Sequence, residues 1–315
     1  MPVCYTEYIN PQVRYSHMEI RVLKYFLAVV REENILRASE VLHITQPSLS
    51  RQLAQLEGEL GVRLFVRGNR RITLTAEGIL LKRRAEEIVA LSDKTEKEFA
   101  DLARGEDIAG IVAIGGGEIS SVSRLSALMR EFNVLHPKVN FSFYSGTADV
   151  VKDQIDKGIL DFGLLLEPVE FAKYDHLSMG IKEKWVVLMR PDSPLAENIS
   201  ITKEDLSGRK LILPSREIVQ KELAAWFGDT FRADNVIVSK NLMNNGALMV
   251  EQGLGYAIGV ENVPSMYDPK RFCYRELSPE ITTGSVLVWK KDQPHSRAAE
   301  EFLKFVSMSI GHSNI

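Results

Sequence analysis

The sequence predicts a multidomain α and α/β chain: an N-terminal winged helix-turn-helix, a long linker helix, and a two-lobed α/β domain. Three observations carry that expectation. Between residues 19 and 60, apolar residues recur at helical spacing in three short runs, and two extended pieces around a Gly-Asn turn follow them. Residues 76–104 then place apolar and small residues at alternating spacings of four and three. Beyond residue 110, β-branched runs alternate with helical patterns, which demands a mostly parallel sheet covered by helices.

The bulk composition is that of a soluble globular protein. The chain has 315 residues, 45% of them hydrophobic and 26% charged. No stretch approaches the ~18 apolar residues of a membrane span, and no basic-then-apolar signal opens the chain, so the cytoplasm is expected. Cys4 and Cys273 lie far apart and form no CxxC pair, which argues against a disulfide scaffold or a thiolate metal site. A redox pair and two plain thiols both remain open. The net charge of −3 is unevenly spread. Residues 43–84 carry eight basic and three acidic side chains, a net of +5, which leaves the remainder at −8. A basic island in an acidic chain is the footprint of one nucleic-acid surface, although a solvated helix face has the same charge.

Taken in order, residues 1–17 show no period and read as a disordered tail, or as an extension upstream of Met18. Ile20, Leu23, Leu27 and Val30 share one face of a first helix. Asn34 can cap a second over 35–42, and His43-Ile44 make the turn. Thr45 is a good N-cap for a third helix, with Pro47 tolerated in its first turn, Leu49, Leu53, Leu56 and Leu60 inside, and Gly61 at its end. Extended pieces at 64–66 and 72–74 form a hairpin whose tip is basic. These elements, 18–75, make up the winged unit.

Thr75 caps the linker helix, which spans 76–104. Leu81, Ala85, Ile88, Ser92, Thr95, Phe99 and Leu102 form its seam, on a rod roughly 45 Å long. Such a seam calls for a partner helix and so for a dimer; a helix lying on its own domain is the plainer alternative. Residues 105–110 read as a hinge. Strands are expected at 111–114, 139–144 and 161–166, with helices at 121–135 and 148–157. A second cycle runs through 185–188, 211–213, a helix around Trp226, 236–238, 242–252 and 256–259. The chain then returns through a strand at 285–289 and a helix at 296–308.

The run Arg37-Ala38-Ser39-Glu40-Val41-Leu42-His43-Ile44-Thr45-Gln46-Pro47-Ser48-Leu49-Ser50-Arg51-Gln52, with Leu56-Glu57-Gly58-Glu59-Leu60-Gly61-Val62-Arg63-Leu64-Phe65, resembles the LysR-type transcriptional regulators. Leu74-Thr75-Ala76-Glu77-Gly78 continues the match into the start of that family's linker helix. The likeness extends from Met18 in order and length, but only this first part is motif-specific. Ser39 stands where the family usually has a second alanine, and Leu36 where it has a threonine. The resemblance implies a DNA-binding dimer unit, often assembled into a tetramer. It also implies a regulatory half folded like periplasmic binding proteins, with an effector between the lobes. The lobes would be 111–166 plus 273–315, and 167–272.

A recognition helix enters the major groove by its N-terminal end, which nominates Gln46, Pro47, Ser48, Ser50 and Arg51. Gln pairs with adenine, Arg with guanine, and Ser with base or phosphate. In the family, the positions of Gln46, Pro47, Ser50 and Arg51 touch DNA. Arg67, Arg70 and Arg71 on the wing would meet phosphates or the minor groove of double-stranded operator DNA. Leu81, Ile88, Phe99 and Leu102 would carry dimerisation. For the effector, the C-terminal ends of parallel strands nominate Gly116, Gly117, Glu118 and Ser120, then Ser145, Gly146 and Thr147, and, in the other lobe, Ser215 and Arg216. Hydroxyls and N–H groups at a helix start suit an anion. Glu118 is discordant: it would oppose an acidic ligand, select an amine or hydroxyl, or point to water. No cofactor and no metal is expected. An enzyme is the rival class, but Ser120 occupies the third glycine of a GxGxxG, and neither HExxH nor GxSxG occurs. A transport-type solute-binding protein would share the two lobes and lack the first 104 residues.

Overall fold

The computed structural model describes residues 18–67, 71–103, 108–261 and 268–311. The expected 1–17 tail and residues 105–107 of the expected 105–110 hinge lie outside them. The chain divides into two compact units, Met1–Lys97 and Glu98–Ile315.

In the first unit, α1 (Ile20–Glu32), α2 (Ile35–Val41) and α3 (Gln46–Leu60) precede the hairpin β1 (Phe65–Arg67) and β2 (Ile72–Leu74) and the helix α4 (Ala76–Ala103). Local chemistry sets each boundary. The Asn34 carboxamide oxygen accepts the N–H groups of Leu36 and Arg37, which would otherwise be orphaned at the start of α2. Thr45 caps α3 through the Ser48 N–H, and Gly61, at φ 70°, ends it in a left-handed turn. Phe26, Leu49, Leu56 and Leu64 are fully buried at the centre of this unit. Ser39 is buried too, and its hydroxyl donates to the Leu36 carbonyl, so a serine is accommodated in the core without an unpaired hydroxyl. Thr75 caps α4 through the Gly78 N–H. A Cβ on Gly78 would come within 2.2 Å of the Leu64 carbonyl oxygen, so glycine there permits the close seating of α4.

The second unit is built on a sheet of strand order β4–β3–β5–β12–β6–β10–β8–β9, with β11 beside β6 and β7 beside β11. Its first half comprises β3 (Gly110–Gly116), α5 (Ser121–Leu135), β4 (Val139–Ser145), α6 (Ala148–Asp156) and β5 (Phe162–Leu166). Its second half repeats that βαβαβ order in β8 (Leu211–Pro214), α7 (Glu217–Phe227), β9 (Val236–Lys240), α8 (Met243–Glu251) and β10 (Tyr256–Val260). Each half has three parallel strands with the first in the middle: β3 between β4 and β5, and β8 between β9 and β10. The late return is β12 (Thr282–Lys290) followed by α9 (Arg297–Gly311).

Three features differ from the sequence reading. The strand expected at 185–188 is the end of β6 (Tyr174–Met189), which pairs antiparallel with β12 over its first part and with β10 beyond it. Residues 174–182 therefore belong to the first lobe, not the second. Conversely β11 (Cys273–Ser278), assigned to the first lobe, pairs with β6 at Val186–Met189 and with β7 (Ser200–Thr202) in the second. The first crossing lies inside β6, between Lys184 and Trp185, and the second lies in the 279–281 connection between β11 and β12, so both fall later in the chain than the expected boundaries. The sheet is also less parallel than expected, because β12 and β6 both run antiparallel to their neighbours.

Candidate functional site

The first candidate surface is the N-terminal end of α3. Leu49, Leu53 and Leu56 anchor one face of the helix, which leaves Gln46, Pro47, Ser48 and Arg51 exposed and Ser50 half-buried. Arg51 makes no hydrogen bond or ion pair among the described residues. Arg71, at the base of the wing, is exposed and 3.2 Å from the Glu33 carboxylate. The Ile72 N–H also donates to the Glu33 carbonyl, so the wing is tied to the α1–α2 turn. Arg67 ends β1, with its side chain outside the described residues; Arg70 lies outside them altogether. Glu57, read from sequence only as a charge, accepts the backbone N–H groups of Leu64 and Phe65 and so positions the wing.

The α4 seam divides. Ala85 is fully buried in the first unit's own core, with Leu81 and Val89 packed against that core, so these positions face inward. Leu81, expected in the partner seam, is half-buried and packs in part against its own chain's core: a heptad period cannot distinguish the two contacts. The exposed apolar residues of α4 are Ile79, Leu80, Ile88, Leu91 and Phe99, with Phe99 67% exposed. The side chain of Leu102 lies outside the described residues.

The second candidate is a cleft of about 840 Å³, counting its open mouth, between the two halves of the regulatory unit. Gly117, Glu118, Gly146 and Thr147 line it from one half; Pro214, Ser215, Arg216 and Lys240 line it from the other. Leu164, Leu165, Leu166, Trp185, Met243 and Val260 give it an apolar wall. Thr147 precedes α6 without capping it, and its hydroxyl has no partner among the described residues. Glu118 does not point to water. Its carboxylate accepts both the backbone N–H and the carboxamide of Asn244, at 2.9 and 2.6 Å, across the cleft. Arg216 also reaches across, to the Pro168 carbonyl at 3.5 Å and the Asp149 carboxylate at 3.9 Å.

Three nominated residues fall away from the cleft lining, the first being Gly116, which is buried at the end of β3. Ser145 ends the edge strand β4, exposed and outside the cleft. Ser120 and Ser121 direct both their backbone N–H groups and their hydroxyls at the carboxylate of Glu183, which is fully buried on β6. The start of α5 is indeed an anion site, as expected of exposed N–H groups, but an internal carboxylate fills it.

The residue sequence reasoning missed is Lys240, at the C-terminal end of β9. It is 93% buried, its relative exposure being 7%. Its stem crosses Gly246 and its ammonium lies beside Gly259: a Cβ on Gly246 would come 2.5 Å from Cδ, and one on Gly259 would come 3.3 Å from Nζ. Burial lowers its pKa to about 8, against a smaller opposing pull from Glu118. Applying the strand-end rule to β9, as it was applied to β3, β4 and β8, would have found it.

Two family models match this chain. The bacterial regulatory helix-turn-helix protein, lysR family, matches residues 20–79, and the LysR substrate binding domain matches residues 105–309. The uncharacterized HTH-type transcriptional regulator YvbU of Bacillus subtilis strain 168 is 28% identical over 300 residues, covering 93% of this chain and 99% of that protein. The Hca operon transcriptional activator HcaR of Escherichia coli K12 is 29% identical over 285 residues, covering 88% and 93%. Among solved structures, CbnR, a LysR family transcriptional regulator, is similar with a TM-score of 0.70 at 20% identity, covering 93% of this chain and 99% of CbnR. Full-length CbnR complexed with its target DNA gives 0.69 at 21% identity, covering 93% and 100%. Both structural likenesses are likenesses of fold.

Proposed function

This chain belongs to the LysR family, DNA-binding transcriptional regulators with an effector-binding domain, and on that premise we propose how its residues divide the work. Gln46, Pro47, Ser48, Ser50 and Arg51 read base edges of double-stranded operator DNA, and the wing arginines anchor to phosphate. A small molecule in the inter-lobe cleft, against Gly117, Thr147, Ser215, Arg216 and Lys240, biases one arrangement of the lobes and so controls operator binding. The chain regulates rather than catalyses, and its DNA partner supports a cytoplasmic setting. Among the described residues no helix is long and apolar enough to cross a membrane. The exposed, unpaired Arg51 on the outward face of α3 carries the DNA reading.

Arg51→Ala should weaken specific binding by about 1–3 kcal/mol and relax base choice at one operator position. Equal losses on operator and random DNA, measured by fluorescence anisotropy, would demote Arg51 to a phosphate anchor. The exposed apolar stripe of α4 supports assembly as a homodimer, and a tetramer made of two such dimers beyond it. Aspartate at both Ile88 and Phe99 would place unpaired charges in that stripe. Sedimentation should show smaller species with weaker operator binding, and an unchanged oligomer would move the contact elsewhere.

A further inference from the structure

The charged groups lining the cleft are not alike in how they are satisfied. Glu118 is held by Asn244, Arg216 by Asp149 and the Pro168 carbonyl, and Glu167 is exposed to solvent. Lys240 alone among them is both buried and without a hydrogen bond or ion pair among the described residues. Its stem is buried and its ammonium opens on the cleft with only the more distant pull of Glu118 upon it; desolvating a cation in this way is costly, and two glycines make the room for it. Packing alone would be served as well by methionine, which is unbranched, one atom shorter and uncharged.

Resting on the reading of the cleft as the effector site, we propose that Lys240 takes the carboxylate of the effector, and that the wall of Leu164, Leu166, Trp185 and Val260 takes an apolar body. The occupant is a small monocarboxylate with a hydrocarbon or aromatic body. Arg216 is held by Asp149, so Lys240 is the one uncommitted cation on the cleft lining among the described residues, and it matches one negative charge better than the two of phosphate. The start of α5 does not compete for that charge, because Glu183 occupies it. The unpaired Thr147 hydroxyl supplies a hydrogen bond from the opposite wall.

The test uses the full-length protein and thermal shift, with hexanoate and benzoate set against hexanamide, benzamide and inorganic phosphate. The carboxylates should raise the melting temperature of the wild type by a few degrees as they saturate, since a ligand bound only by the folded state stabilises it. The amides and phosphate should leave it in place. Lys240→Met should lose the carboxylate response at least tenfold in apparent affinity, while its own ligand-free melting temperature does not fall. Lys240→Gln, polar and uncharged, should lose it as well, which guards against a packing effect of methionine. Carboxylates that shift the variants and the wild type alike would overturn the role of Lys240. Amides that shift the wild type as strongly as the acids would keep the cleft as a small-molecule site and overturn the anion. A wild type that answers no carboxylate overturns the proposal, and a metabolite-library hit lost in Thr147→Val would then show the cleft reading still standing.

Discussion

The two halves of the regulatory unit have one topology and treat charge in opposite ways. In the first, the strand end before α5 leads into N–H groups and hydroxyls that close on the internal carboxylate of Glu183. In the second, the corresponding strand ends present Arg216 and Lys240, and the lysine has no hydrogen bond or ion pair among the described residues, only the weaker pull of Glu118 from the first half. One half is electrostatically complete by itself, while the other waits for a counter-charge. Fold and site thus separate: the first half shows what such a strand end does for stability, the second what it costs to bury a cation there.

The sharpest way to break this contrast is at Glu183. Glu183→Ala strips the acceptor from two backbone N–H groups and two hydroxyls, with Ser121 fully buried. Stability of the regulatory unit should fall by about 3 kcal/mol or more in chemical denaturation. A loss below about 1 kcal/mol would mean that water satisfies the start of α5 and that the first half is no more complete than the second.

Lys240→Met should have the opposite sign. The folded pKa of Lys240 lies near 8, below its ordinary 10.5, so the folded state resists the proton that the unfolded chain keeps. Between about pH 8 and 10.5 the unfolded state binds more protons, and this group's contribution to stability rises with pH. Below pH 8 its penalty is fully present. At pH 7, without ligand, Lys240→Met should therefore be more stable than the wild type, on the order of 2 kcal/mol. That advantage should close as pH climbs toward 10. Equal stability of the two proteins at pH 7 would show that the ammonium is already compensated.

The smallest effect sharpens the comparison instead of breaking it. Thr147→Val removes an uncharged hydroxyl from the first half's share of the cleft. Effector affinity should drop by about 1 kcal/mol, and folding and operator binding should stay near normal. A variant titrating like the wild type in a thermal-shift series would remove Thr147 from the site. One that fails to fold would make its hydroxyl structural.

Much of this was legible because its causes are local. The caps at Asn34, Thr45 and Thr75 and the left-handed Gly61 are decided within a turn of chain, and all four stand where their residue types place them. What escaped has partners far away in sequence. Ser120 sits at a helix start as its type suggests, but its partner is 63 residues on. Leu81 has the period of a dimer seam, yet it packs in part against its own chain's core. The first part of β6, residues 174–184, mixes charged and apolar residues without alternation, because that stretch passes from one lobe toward the other. Lys240 was missed for want of a question: a lysine ending a strand looks solvated until Gly246 and Gly259 are seen to enclose it.

The continuous run of β6 constrains how the lobes can move. Lys184 is paired with Thr282 in one part of the sheet, and Trp185 with Val260 in the next. The changeover therefore falls between two adjacent residues, flanked by the carboxylate that holds α5 and by an indole on the cleft wall. A hydrogen-bonded strand does not swing like a loop; it twists, and a twist is shared along its length. Pressure on Trp185 from an occupant would thus be transmitted as torsion to Glu183, two residues away, and from there to the seat of α5. The molecule has a drive shaft where a two-lobed clamp is usually given a door hinge.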